Sequence, residues 1–62
     1  MAEKCYIVDG YGHDGTIRYG KEFYMGDDQA EAERIYDILA NKTEPEYTEL
    51  TGGVSYDGFF MA

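Results

Sequence analysis

The hydrophobic pattern of this chain switches from alternation to a helical stripe and back again. Lys4-Cys5-Tyr6-Ile7-Val8-Asp9 is dense in β-branched and aromatic residues, as strands are. Gly10-Tyr11-Gly12-His13-Asp14-Gly15 carries three glycines and an Asp-Gly pair and reads as a loop. Thr16-Ile17-Arg18-Tyr19 resumes the extended pattern, Gly20 interrupts it as a bulge or bend would, and Lys21-Glu22-Phe23-Tyr24-Met25 carries it on. The expectation is a β-hairpin with a long, bent second strand.

Gly26-Asp27-Asp28 then ends the strand. Asp28 suits a helix N-cap, because its carboxylate can accept from the free N–H groups of the first turn. Glu31 stands three residues later, as in a capping box, and both acids favour the positive end of the helix dipole. Ala32, Ile35, Tyr36 and Leu39 recur at helical spacing, with Ile38 widening the stripe. Ala30, Glu33, Arg34 and Asp37 take the opposite face. The spacing predicts a helix from Gln29 to about Ala40, with Asn41 as the left-handed cap and Pro45 barring continuation.

Glu46–Thr51 and Val54–Met61 form two further β-prone runs separated by Gly52-Gly53. A two-residue Gly-Gly connection is a strong signal for a type I′ hairpin, which would pair Thr51 with Val54 and Glu49 with Tyr56. The predicted order is β-β-α-β-β: an α+β fold with a small antiparallel sheet and one helix packed on one face. One short helix covers one sheet face, so the other must be solvated or meet a partner. In the last hairpin Tyr47, Val54, Tyr56 and Phe60 would share one face and Leu50, Phe59 and Met61 the other. Residues 1–62 are expected to form one domain.

Composition narrows the function classes. Thirteen acidic residues oppose five basic ones, for a net charge of −8, and seven tyrosines and three phenylalanines accompany them. The aromatic content speaks for a folded chain despite the charge. No segment reaches the ~20 apolar residues of a membrane span, and no signal-peptide core is present. The expected location is the cytoplasm, with Cys5 reduced and structural. Direct binding to nucleic acid or to an anionic membrane is disfavoured by charge.

The chemistry-bearing residues do not assemble into a catalytic motif. The glycine-rich run lacks the Lys and the following helix of a phosphate loop. Read as a calcium loop around Gly15, it has Gly10, Gly12 and Lys21 where acidic ligands belong. His13 has no second histidine to work with. The expectation is no enzyme, no cofactor and no metal.

The acidic set is the remaining feature. Asp27, Asp28, Glu31, Glu33 and Asp37 lie on and before the helix, and Glu44, Glu46 and Glu49 follow it. Such an excess strains a small fold by self-repulsion, and it steers and holds basic surfaces. In charge, size and aromatic content, though not in any motif, the chain resembles small acidic proteins that block nucleic-acid-binding enzymes, including phage-made anti-defence inhibitors and nucleic-acid mimics. The resemblance implies a module that occupies the basic surface of a partner, itself a nucleic-acid-binding protein. Asp27, Asp28, Glu33 and Asp37 would be the contacts and Tyr36 and Tyr47 the aromatic anchors. The alternative is a self-associating accessory domain, a homodimer whose charge serves solubility.

Overall fold

The computed structural model describes residues 4–62. Its elements are β1 (Tyr6–Asp14), β2 (Ile17–Gly26), α1 (Gln29–Asn41), α2 (Glu46–Thr51) and β3 (Gly58–Met61). The strands form an antiparallel sheet in the order β2-β1-β3. The fold class is α+β, with three strands and two helices among the described residues where four strands and one helix were expected.

Two segments differ from their sequence reading. The glycine-rich run is strand. β1 continues through Gly10, Tyr11, Gly12 and His13 to Asp14, and only Gly15 and Thr16 make the turn, with Gly15 at φ 66°. The glycines at 10 and 12 are there for close approach, not for bending. A Cβ at Gly10 would stand 2.6 Å from Phe23 Cε2 and 2.7 Å from Phe59 Cδ1, and one at Gly12 would stand 3.0 Å from the Ser55 carbonyl oxygen.

Glu46–Thr51, expected as a strand, is α2. Tyr47, Leu50 and Thr51 fall at i, i+3 and i+4, and these are the residues it turns inward. Gly52 and Gly53 supply their positive φ values, 67° and 83°, to a helix terminus. Both donate their N–H groups to the Thr48 carbonyl, so the pair closes a helix as a left-handed C-cap does. No hairpin joins Thr51 to Val54. Gly58–Met61 pairs with β1 instead, through Val8–Met61, Asp9–Phe60, Gly10–Phe59 and Tyr11–Gly58.

The strand irregularity also lies elsewhere than at Gly20, which pairs regularly with Tyr11. The register shifts where Val8 faces Tyr24 and Asp9 faces Glu22, leaving Phe23 unmatched. This bulge lets Phe23 and Tyr24, adjacent in sequence, both pack against the core.

α1 begins as predicted. Asp28 Oδ1 accepts from the Glu31 N–H at 3.1 Å. The reciprocal half of the capping box is taken over by Tyr24, whose hydroxyl oxygen accepts from the Asp28 N–H at 3.2 Å, which ties the helix start to β2. At the far end Lys42, one residue beyond Asn41, adopts the left-handed conformation, at φ 53° and ψ 48°.

The core lies between the sheet and α1: Val8, Ala32, Ile35 and Leu39 are buried, ringed by Tyr6, Phe23, Tyr24, Tyr36, Tyr47, Leu50 and Phe59. Phe23, Tyr56 and Phe59 make edge-on or tilted contacts with centroids 5.4 to 5.9 Å apart, a geometry that adds to simple burial. Lys21 Nζ donates to the Leu50 carbonyl at 3.0 Å and lies 5.1 Å from the Phe23 ring centroid, pinning α2 to β2. Cys5, expected to be structural, is exposed just before β1.

Leu39 is fully buried. Leu39→Ala is expected to destabilise by about 2–5 kcal/mol, as truncated core leucines do. Gly10→Ala is expected to lose about 1–3 kcal/mol by forcing the two phenylalanine rings apart. Urea denaturation measures both. A Gly10→Ala protein as stable as the parent would show that the rings do not close over the strand.

Candidate functional site

The sequence-predicted contacts lie on and beside α1. Asp27 and Asp28 stand in the β2–α1 connection, and Glu33 and Asp37 one turn apart on the outward side of the helix; all four are exposed. At a 1.5 Å rise per residue this acidic row extends about 15 Å. Each carboxylate has its own surroundings. Asp28 is the N-cap. Glu33 Oε2 accepts from Gln29 Nε2 at 2.9 Å. The Asp37 carbonyl accepts from Asn41 Nδ2 at 2.8 Å, leaving its carboxylate clear of that bond. Tyr36 and Tyr47 are half-buried and pack against the core. Tyr47 meets Phe59 edge-on with centroids 6.3 Å apart.

Compensating charge is scarce on this side. Among the described residues the ion pairs are those of Arg34, with Glu31 at 2.6 Å and Glu46 at 3.0 Å. Hydrogen bonding to Glu31, then the charge of that carboxylate, raises the Arg34 pKa above its ordinary value, so the guanidinium stays charged throughout the range in which a protein folds. The pair with Glu46 ties α1 to α2. With Lys21 held against Leu50, two of the five basic side chains are committed within the fold.

The opposite side of the molecule carries a surface that the sequence reading assigned differently. Cross-strand partners share a face, so the sheet side away from the helices shows Ile7 and Met25, then Asp9, Glu22 and Phe60, then Tyr11 beside Gly20 and Gly58, then His13 and Arg18. Neither helix covers it. Met25, Phe60 and Tyr11 are 61%, 50% and 47% exposed, and the Tyr11 and Phe60 rings lie 6.4 Å apart. Asp9 and Glu22 stand directly opposite one another, and a like-charged cross-strand pair opposes folding by roughly 0.2–1 kcal/mol. The signal for this face was present: Ile7, Asp9, Tyr11 and His13 alternate without a break, and the glycines between them mark the inner side of one continuous strand.

The depressions in the surface are shallow. One of about 280 Å³ is lined by His13, Asp14, Tyr19, Val54 and Ser55. Within it the Tyr19 hydroxyl donates to Asp14 Oδ2 at 3.2 Å, and none of its lining residues is fully buried. Among the described residues no three His, Cys, Asp or Glu side chains converge as metal ligands would, and no helix is long and apolar enough to cross a membrane. Compared with family models, with curated proteins and with solved structures, the chain matches none.

Asp28→Ala is expected to lower stability by about 1 kcal/mol, because the Glu31 N–H loses its acceptor. Asp27→Ala is expected to stay within about 0.5 kcal/mol of the parent, as exposed substitutions do. Thermal melts of the two variants check the assignment, and a larger loss for Asp27 would move the cap.

Proposed function

We propose that this chain is a non-enzymatic binding module that occupies a basic surface of a partner protein, one that otherwise binds nucleic acid, and so acts as an inhibitor of the nucleic-acid-mimic, anti-defence type. The observation that carries the reading is the exposed row Asp27, Asp28, Glu33 and Asp37 along α1, which has no Lys or Arg ion pair among the described residues. Carboxylates left uncompensated in a chain of net charge −8 project a negative field, and such a field raises the rate of encounter with a cationic groove. Nucleic-acid-binding grooves are cationic because they must neutralise phosphates. Tyr36 and Tyr47, at the border between core and surface, would add apolar contact beside the acids.

Rim charges act chiefly on association and its salt dependence, anchors chiefly on dissociation. Replacing both Glu33→Lys and Asp37→Lys is therefore expected to slow association about tenfold or more at low salt and to flatten its ionic-strength dependence, with the melting curve little changed. The measurement is surface-based kinetics against the partner captured from a host lysate. Unchanged association kinetics and an unchanged salt response in a folded variant would remove the helix row from the contact.

A further inference from the structure

We propose that the open sheet face is a second docking surface, taking an apolar segment of a basic protein that carries a lysine or arginine in its middle. The inference goes beyond the helix-row reading and does not depend on it, since the two surfaces lie on opposite sides of the sheet. Three observations place it. Met25, Phe60 and Tyr11 are exposed on one side of the sheet with Ile7 among them, whereas single strands of a solvated face ordinarily present polar groups there. Asp9 and Glu22 stand side by side within the apolar set, a pairing that opposes folding of the isolated chain and that a cation seated between the two carboxylates would relieve. Gly20 and Gly58 flank Tyr11 in the same row; the ring lies over Gly58, while the space above Gly20 is open, leaving a notch on that side where an incoming side chain can lie against the ring.

Charge decides between a foreign segment and a second copy. A copy brings its own net charge of −8. Stacking that buries the whole face carries two Asp9–Glu22 pairs, four carboxylates, into the interface, and the one Arg18 from each copy offsets only half of them. A basic segment meets the same pair with opposite charge, and buried like charges suppress the wrong partner while opposite charges select the right one.

The test is selection of random peptides displayed on phage against the folded chain, followed by amide NMR mapping of the enriched peptides on the labelled protein. The expected result is enrichment of sequences with Lys or Arg between apolar or aromatic residues, and shifts confined to Ile7, Asp9, Tyr11, Glu22, Met25 and Phe60 and their strand neighbours. Met25→Ser and Phe60→Ser, both at exposed positions, are each expected to weaken the selected peptides about tenfold or more, a loss typical of contacts near an interface centre. Glu22→Gln is expected to weaken them similarly while raising the melting temperature of the free chain at low salt. Glu33→Lys with Asp37→Lys is the control, and it leaves these shifts in place even where the helix row proves to bind nothing. The inference is overturned by no enrichment, by peptides without a cation, by shifts that map to α1, or by concentration-dependent shifts of the same face without peptide, which would mark a second copy as the occupant.

Discussion

A single helical layer covers one side of this sheet, and most of the molecule follows from that constraint. α1 contributes Ala32, Ile35 and Leu39 to a core whose sheet side is Val8 and the space above two glycines. With no side chain at Gly10, the rings of Phe23 and Phe59 close directly over the strand. With none at Gly12, residues 55–57 approach the strand, and the Asp57 N–H donates to the Tyr11 carbonyl at 2.7 Å. The bulge at Phe23 serves the same end by turning two successive aromatics inward. A chain of this size buries only about 60% of the surface its unfolded form exposes, so a core made of interlocked rings over bare backbone is how a thin layer reaches adequate packing.

The same constraint shapes the surface. Apolar side chains at alternate positions of β1, β2 and β3 have no second layer to enter, so Met25, Tyr11 and Phe60 stay exposed, with Ile7 half-buried beside them. On the far side, the outward face of α1 gathers acids that the scarce basic residues do not offset. The molecule thus presents two unlike surfaces, one charged and one mostly apolar with an acidic pair inside it. In the roles proposed above, both would meet a cationic partner, by long-range attraction on one side and by close contact on the other.

The helix was legible in the sequence nearly to the residue. A 3.6-residue apolar stripe behind an Asp N-cap has few competing explanations, and its start at Gln29 follows from that cap. The first hairpin was legible in outline, but its loop was not, because glycine marks both turns and close backbone approach and local sequence does not say which. Gly15 turns the chain, whereas Gly10 and Gly12 make room for rings that come from β2 and from the C-terminal strand. The fourth strand failed for a related reason. Gly52-Gly53 signals positive φ, which a type I′ hairpin and a helix C-cap both require. The helical spacing of Tyr47, Leu50 and Thr51 separates the two, and over six residues it competes with a β-prone composition. The acidic row was legible because exposure of charge needs no tertiary information. The open sheet face was hidden by the misread loop, since alternation from Ile7 to His13 counts as a strand pattern only when the glycines are allowed inside the strand.

Competition reports most directly on the proposed role. With the partner bound to a fluorescent nucleic acid at constant ionic strength, titration of the chain measures whether the two ligands share one surface. The account predicts full displacement of the nucleic acid, with an apparent affinity that weakens in proportion to nucleic acid concentration. A stable ternary complex, with chain and nucleic acid bound to the partner together, would contradict it.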